Sequence, residues 1–427
     1  MSTDQAAARR SWALDISPLR DHPAYLRMWT GGVIGGIGAQ ITVVAVGVHI
    51  YERTQSTFAV SLVGVFAFAP MIIIGLFGST LVDAFDRRTV LIWAASVSWL
   101  TGAGIAALAW SGVDSLVPLY ALTTLSAASS TLVGTARFAI LPRLLPREQL
   151  PAGAALSGIS AGLQATIGPA LAGILIGVIG FAWTYSLDVV LYSAAFLGIV
   201  ALPPIRPLAA ERISLGPRSV IVGLRALNST PALRSPLLVN IVATVFGRQQ
   251  VLFPAVAATI VHGGPIIVGV LAASAAVGVL GSSFFSGRLA QITRHGVAVG
   301  WAAVGFGASI LGFGLVILVA GPSSSFNWPV LLVACLLLLL SGVADNVAGI
   351  FRTTMQHRES PDEVRGRIQG LTTIVLTAGP RVGDAVTGTL SFIGLWAGPV
   401  IGGAVIILFS GAMTRHNRGL RDYRGIS

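Results

Sequence analysis

Lysine is absent from this chain of 427 residues, so all 27 basic residues are arginines. A phosphate-binding P-loop requires a lysine that reaches the nucleotide phosphates, and enzymes that form Schiff bases also use a lysine amine. Both kinds of site are excluded, and ATP hydrolysis through a P-loop is excluded with them. The sequence also contains no recognisable metal cluster, nucleophile triad or dinucleotide loop. We therefore predict no enzymatic activity, no catalytic residues, no metal and no cofactor.

Charge and cysteine are also scarce. Charged residues make up 10% of the chain and hydrophobic residues 54%, whereas a soluble protein of this length carries about a quarter charged residues. The polar surface that would face water is largely missing, so lipid is the expected solvent. The one cysteine, Cys335, excludes an intrachain disulfide, and we interpret it as a small packing residue in an apolar run.

Twelve apolar segments are long enough to cross a hydrocarbon core of roughly 30 Å as helices. They lie at about 26–50, 57–78, 89–111, 115–136, 153–178, 182–202, 236–260, 265–287, 297–320, 328–350, 370–393 and 397–413. A proline- and arginine-rich link at 203–235 separates two sets of six. We therefore predict an all-α membrane protein with two pseudo-symmetric six-helix bundles, 26–202 and 236–413, and polar segments at 1–25 and 414–427.

The arginines follow the predicted topology. If the N-terminus is cytoplasmic, 24 of them lie in the terminal segments, the central link and every second loop. The opposite loops carry only Arg53, while Arg248 and Arg381 fall inside spans. Arginine-rich loops stay in the cytoplasm, so we predict a multi-pass plasma (inner) membrane protein with both termini cytoplasmic. Basic charge can also indicate nucleic acid, but this distribution predicts the lipid bilayer, and no nucleic acid, as a partner.

The two sets of spans resemble copies of each other. Residues after the fourth and tenth spans correspond at a shift of 215 positions: Arg137 and Arg352, Pro146 and Pro361, Glu148 and Glu363. At the same shift, the glycine-bounded segment 168–173 matches 383–388. Parallel six-span repeats with the substrate path between them are a transporter architecture.

A charged stretch at 79–88 joins the second and third spans, and we predict that it is a cytoplasmic gating loop. Its candidate residues are Asp83, Asp86, Arg87 and Arg88. A weaker copy in the second half has Gln291 where the first has Asp83. The charge that closes this side is therefore expected to belong mainly to the first half.

This stretch resembles the signature of the major facilitator superfamily, Gly-x-Leu-Ala-Asp-Arg-x-Gly-Arg-Arg. The chain matches that pattern at Leu81, Asp83, Arg87 and Arg88, and departs from it at Ser79, Ala84 and Asp86. The resemblance implies that the loop locks the two halves together at their inner side during alternating access.

Segments along nearly the whole chain are similar to bacterial enterobactin exporters. They are residues 12–25, 183–185, 201–204, 253–255 and 355–371. The resemblance implies proton-driven antiport of a small amphiphilic cargo, a siderophore such as enterobactin. Multidrug and macrolide efflux pumps share much of the pattern and are the alternative. A membrane receptor or lipid-handling protein that keeps the fold without pumping is the alternative of another class.

Ionisable residues inside spans are costly and are functional candidates by default. Arg381 and Asp384 lie three apart on span eleven and share a helix face. Either Asp384 takes up a proton and loosens Arg381, or the two form a permanent ion pair. Asp188 in span six is a second proton-coupling candidate or a structural partner for a neighbouring helix. Asp345 in span ten is a third candidate, or a residue that snorkels near a helix end.

Polar residues in the first span of each half are candidates for the substrate cavity. Arg248, Gln249 and Gln250 lie midway along span seven, and Gln40 is the matching residue in span one. The family resemblance implies that these spans line the cavity, where an arginine suits an anionic or oxygen-rich cargo. The alternative role for Arg248 is to pair with an acid such as Asp345.

Overall fold

The structure is a computed structural model that describes residues 15–113, 115–202, 230–284, 292–360, 365–421 and 423. Most of the predicted central link lies outside the described residues, as does Gln291. Throughout the described ranges the chain forms helices joined by short turns. This agrees with an apolar chain in lipid, where each helix satisfies its own backbone hydrogen bonds.

The helices fall into two sets. The first half contains α1 (Ser17–Asp21), α2 (Pro23–Thr54), α3 (Thr57–Ala84), α4 (Arg87–Ser111), α5 (Val117–Leu144) and α6 (Leu150–Val200). The second contains α7 (Pro231–Phe246), α8 (Gly264–Phe284), α9 (His295–Ala320), α10 (Trp328–Glu359), α11 (Arg365–Leu390), α12 (Ala397–His416) and α13 (Arg418–Arg421). Shorter helical turns cover Arg147–Gln149, Gln250–Leu252, Phe253–Ala255 and Val256–Val261.

Twelve membrane spans are present, as predicted. Nine helical segments of the described chain are long and apolar enough to cross a membrane. One of them, α6 with its preceding turn, holds two spans, because Gly180 breaks the helix with φ 75° and ψ 178°, a backbone conformation that glycine adopts readily. The other two spans are α5 and α11, which carry more polar residues.

Some helix ends differ from the approximate bounds predicted for the apolar segments. The predicted span 236–260 is not one helix, because α7 begins earlier, at Pro231, and ends at Phe246. Helix α10 continues to Glu359, well past the predicted end at 350. Hydropathy identifies only the apolar segment that crosses the hydrocarbon core. A helix can continue beyond that core into water, because its backbone hydrogen bonds are made within the helix.

The bundle has two ends that differ in arginine content. We call the end with the α3–α4 connection (85–86) the arginine-rich end, and the end with the α2–α3 connection (55–56) the arginine-poor end. At the arginine-poor end, the rings of Trp110 and Trp183 pack edge to face with centroids 5.1 Å apart, and both are exposed. Such exposed aromatics are typical of a membrane–water interface.

The two halves pack together at the arginine-poor end. There a single apolar core contains residues of both halves, among them Ile41 and Phe253. Towards the arginine-rich end each half has its own separate core, one around Leu91 and one around Phe351. The halves are therefore joined at one end and form distinct bodies at the other.

Glycines allow the close contact between the halves. A Cβ atom at Gly173 of α6 would lie 2.7 Å from the carbonyl oxygen of Pro265, in the first turn of α8. A Cβ at Gly388 of α11 would lie 2.2 Å from Oγ of Ser61 on α3. Small residues let membrane helices approach to backbone contact, so these two helix pairs form the seam between the halves.

Candidate functional site

A central cavity lies between the two halves and has two adjacent lobes that share part of their lining. The inter-half lobe, of about 120 Å³, is lined by α2, α3, α8, α11 and the turn after α7. The N-half lobe, of about 340 Å³, lies among α2, α3, α4, α5 and the second part of α6. Gln40 and Arg381 line both lobes. The cavity therefore extends from the seam into the first half.

A break in the seventh span brings its polar residues to the cavity. Helix α7 ends at Phe246, and the chain resumes as a turn at Gln250–Leu252. The backbone carbonyl of Arg248 is freed by this break and accepts a hydrogen bond of 2.7 Å from Oγ1 of Thr387. Irregular backbone at membrane depth is tolerated where it lines a cavity or is buried in protein, and both conditions hold here.

Two arginines converge on one carboxylate at the wall of the cavity. Nε of Arg248 donates to Oδ1 of Asp384 at 2.9 Å, and Nη1 of Arg381 lies 3.6 Å from Oδ2. The Asp384 side chain is only 10% exposed, whereas the two arginine side chains are 25–29% exposed. The cluster therefore has one more positive than negative charge and presents it to the cavity.

Glycines hold this cluster against both neighbouring helices. A Cβ at Gly64 of α3 would lie 3.1 Å from Oδ2 of Asp384. A Cβ at Gly383 of α11 would lie 2.8 Å from the carbonyl oxygen of Thr244 on α7. Helix α11 therefore packs closely against both α3 of the first half and α7, and its charged residues Arg381 and Asp384 lie at the seam.

The predicted cavity residues do not share one environment. Gln40, Arg248 and Gln250 line the inter-half lobe. Gln249 is buried instead, 7% exposed, and its Oε1 has no partner among the described residues. The two alternatives for Arg248 are both realised in part, since it lines the cavity and also pairs with an acid. That acid is Asp384 and not Asp345, which had been named as an example, and a role of Arg248 in cargo binding stays a prediction.

Asp188 lines the N-half lobe rather than the outside of the bundle. Its Oδ2 accepts a short hydrogen bond from Oγ1 of Thr42 on α2. Its Oδ1 has no partner among the described residues. The close approach of α2 is possible because residue 38 is glycine, where a Cβ would lie 2.3 Å from Oδ1. The bond to a neighbouring helix was expected, but the position on the cavity wall was not.

Asp345 is separate from the central cluster. It is exposed, yet it lies on the same face of α10 as Leu338 and Ser341, which are buried. That face of α10 points to the interior of the bundle. The neighbouring Asn346 donates to Oγ of Ser282 on α8 at 2.8 Å.

The predicted gating loop is mostly helical. Helix α3 continues through Ala84 and α4 begins at Arg87, so only 85–86 form the connection. Arg87 donates to the carbonyl oxygen of Ala139 at 2.8 Å, and Arg88 to that of Val200 at 2.8 Å. These two contacts remain within the first half. The side chain of Asp83 lies outside the described residues, so its part in a lock between the halves stays a prediction.

Asp86 has a local role that the loop interpretation did not include. Its Oδ1 accepts a hydrogen bond of 3.0 Å from the backbone N–H of Thr89 and caps α4. Replacing Asp86 by alanine is expected to lower the free energy of unfolding by about 1 kcal/mol, because one N-cap bond is lost. Thermal unfolding of the purified protein in detergent measures this. The D86N variant keeps a capping oxygen and should unfold near the wild-type temperature; equal destabilisation of both variants would contradict the capping role.

Known proteins resemble this chain in sequence over most of its length. A family model described as transmembrane secretion effector matches residues 13–424. The enterobactin exporter EntS of Citrobacter koseri is 28% identical over 382 residues, which cover 90% of this chain and 88% of the exporter. The EntS protein of Escherichia coli O1:K1 is 27% identical with the same coverage.

Solved structures show the same fold at low sequence identity. A POT family transporter in complex with 5-aminolevulinic acid superposes with a TM-score of 0.72 at 11% identity, covering 93% of this chain and 97% of that one. A bacterial homologue of the human lysosomal transporter Spinster gives a TM-score of 0.69 at 14% identity, covering 96% and 99%. With the family match over residues 13–424, the chain belongs to the transmembrane secretion effector family of the major facilitator superfamily.

Proposed function

We propose that this protein is a proton-driven antiporter that exports a siderophore of the enterobactin type by alternating access. The arginine-rich end and both termini face the cytoplasm of a plasma (inner) membrane. The named relatives are enterobactin exporters that this chain matches over about nine-tenths of its length, which supports the cargo class. The arginine distribution supports the orientation.

The observation that carries the proposal is the distribution of charge around the central cavity. Arg248 and Arg381 present positive charge from the second half, and Asp188 presents a carboxylate from the first half. A cargo with acidic oxygens and hydroxyl groups is complementary to these opposite charges on the two sides of the cavity. Its oxygens accept bonds from the guanidinium groups, and its hydroxyls donate to the carboxylate.

Competition at Asp188 gives a physical route to antiport. Both oxygens of Asp384 are engaged by arginines, whereas Oδ1 of Asp188 has no partner among the described residues. Asp188 forms no ion pair within the described chain, so a proton, or a cargo hydroxyl that displaces Thr42 from Oδ2, can bind it without first breaking one. A protonated Asp188 no longer offers a full carboxylate to the cargo, so proton uptake favours cargo release. Asp384 keeps the two arginines in place.

Replacing Asp188 by asparagine is expected to abolish accumulation driven by a pH gradient while leaving cargo exchange across vesicles at equal pH. Asparagine keeps the shape of the side chain but binds no proton in the working range. Reconstituted vesicles with and without an imposed gradient measure both quantities. The matched control is Thr42→Val, which removes the hydrogen bond to Asp188 but keeps the carboxylate and should retain the gradient response. A D188N protein that still responds fully to the gradient would contradict this role.

The cargo class is tested in cells. Deleting the gene should reduce the siderophore that iron-starved cells release into the medium, and restoring the gene should recover it. The apolar lining from Val43, Val46 and Val63 also suits a hydrophobic drug, which makes drug efflux the second candidate. Normal siderophore release together with lost drug resistance would select that candidate. No change in either would favour a protein that keeps the fold without pumping.

A further inference from the structure

A second cavity, of about 170 Å³, lies in the first half towards the arginine-rich end. It is formed by α2, α5 and the first part of α6, and we call it the inner cavity. Its lining combines aromatic and hydroxyl groups with one charged residue, Arg137. The indole of Trp29 and the hydroxyl of Tyr25 are held by backbone carbonyls of Leu156 and Gly153. These side chains are fixed, so the cavity is a built feature of the bundle.

The inner cavity continues the central cavity along two helix faces. On α5, Ser130 and Thr131 line the central cavity, and Gly134, Arg137 and Phe138 line the inner cavity. These positions recur every three or four residues and share one face of the helix. On α2, Gly32 in the inner cavity lies about 12 Å along the axis from Gln40 in the central cavity.

Gln164 separates the two cavities. Its amide donates to Oγ of Ser160 at 2.8 Å and to the carbonyl oxygen of Gly32 at 3.3 Å. It fits against Gly36, where a Cβ would lie 2.1 Å from its side-chain oxygen. A molecule that moves from the arginine-rich end towards the centre meets Arg137 first, then this glutamine.

The guanidinium of Arg137 has no acceptor among the described residues. Its Nε is fully buried without a hydrogen-bond partner. One terminal nitrogen lies against the backbone of α2, where a Cβ at Gly32 would be 3.1 Å away. A buried guanidinium nitrogen without a hydrogen-bond partner is costly, and a ligand in the cavity would supply acceptors for the rest of the group.

The corresponding arginine of the second half shows the contrast. Arg352 lies 215 positions after Arg137 and donates to Oδ1 of Asn240 on α7. The cavity beside it has a volume of only about 10 Å³. In the second half this arginine is satisfied by protein and the space is filled. In the first half, the arginine at the same repeat position has no hydrogen-bond acceptor within the described part of the chain, and the cavity beside it is open.

We propose that the inner cavity is a cargo subsite in which Arg137 binds an acidic oxygen group, a carboxylate or a catecholate, before the cargo reaches the central cavity. A guanidinium binds such a group through two parallel N–H bonds. Trp29 and Phe138 provide apolar walls for the ring that carries it. The subsite rests on the proposed function for its role in export, but its chemistry is set by the cavity alone.

The test uses two probes that differ in one group. Binding of 3,4-dihydroxybenzoate and of its neutral amide, 3,4-dihydroxybenzamide, is measured by titration calorimetry on the full-length protein in phosphatidylcholine nanodiscs. The wild type should prefer the carboxylate by about tenfold, the value of one charge-assisted contact. Arg137→Gln should lose that preference, and Arg137→Lys should keep part of it. Equal binding of both probes by the wild type, or an unchanged preference in R137Q, would overturn the proposal.

A second variant guards against a folding defect in R137Q. Ala161 lines the inner cavity and is exposed, so Ala161→Leu fills the space without removing a buried contact. It leaves Arg137 in place and should still abolish the carboxylate preference. An A161L protein that binds both probes as the wild type does would also overturn the proposal.

The acidic group of a phospholipid could also bind Arg137. A last experiment therefore distinguishes a lipid ligand from a cargo ligand. Adding phosphatidylglycerol to the nanodiscs should leave carboxylate binding unchanged if the cavity serves cargo. Competition by that lipid would overturn the cargo assignment and identify a phospholipid subsite. Failure of the proposed function is distinguishable, because a protein that moves no siderophore would still show the preference for the carboxylate probe.

Discussion

Replacing Asp384 by asparagine is expected to reduce cargo flux at least tenfold, with or without a pH gradient. Asp384 holds Arg248 and Arg381 through both carboxylate oxygens, and a charge-assisted hydrogen bond contributes about 1.5–3 kcal/mol. Without the carboxylate, two guanidinium groups remain at the cavity wall with no counter-charge. They repel each other and lose the geometry that receives the cargo. The loss should therefore include gradient-independent exchange, unlike the loss in D188N.

A double-mutant cycle tests this explanation. Removing one partner of a buried ion pair costs about 3–5 kcal/mol, much of it from the charge left behind. The double variant R248Q/D384N should therefore be less destabilised than the sum of the single variants, by at least about 1 kcal/mol of coupling. Thermal unfolding of the wild type, the two single variants and the double variant in detergent gives the sign of the coupling energy. Additive effects would show that the contact of 2.9 Å between the two side chains does not stabilise the protein.

The second large effect is expected at the seam. Gly173→Leu places side-chain atoms where a Cβ alone would lie 2.7 Å from the backbone of Pro265. Overpacking of this kind costs typically 1–3 kcal/mol, which shifts the equilibrium between the closed and open states of this end by about 5- to 150-fold. We expect the arginine-poor end to open and the transport rate to fall, because the state with this end closed becomes rare.

Cross-linking measures the opening. In a background where Cys335 is replaced by alanine, cysteines at Phe58 and Phe392 replace rings whose centroids are 5.2 Å apart across the seam. A short bifunctional maleimide should join them quickly, and more slowly when Gly173→Leu is added. Gly158→Leu is the matched control on the same helix, because a Cβ there meets nothing within 4 Å. Slower cross-linking in both variants would show a general distortion of α6 instead of an opening of the seam.

The number of spans and the two-fold repeat could be predicted from the sequence, but the break in the seventh span could not. Spans of α9 or α12 are uniformly apolar, and hydropathy detects them directly. The region 231–261 also has a high mean hydropathy, so the same signal hides the break after Phe246. The triplet Arg248-Gln249-Gln250 followed by Pro254 was the available sign, because a proline and three polar residues weaken a membrane helix.

The members of the site could be selected from the sequence, but their partners could not. Arg381 and Asp384 share a turn of helix, so their proximity follows from spacing alone. The contact of Arg248 with Asp384 joins residues 136 positions apart and depends on the close packing of α7 on α11. The position of Asp188 on the cavity wall was not predicted, because no sequence signal shows which way a span faces. Arg137 was counted only as a loop arginine, although α5 continues to Leu144.

Proton movement coupled to cargo efflux tests the central claim most directly. Vesicles that contain the protein, a pH-sensitive dye and a high concentration of iron-free enterobactin are diluted into buffer without cargo at equal pH. Antiport through the central cavity predicts that cargo leaves, protons enter and the lumen becomes acidic, whereas D188N vesicles show no acidification. Cargo efflux from wild-type vesicles without any change in luminal pH would contradict the claim.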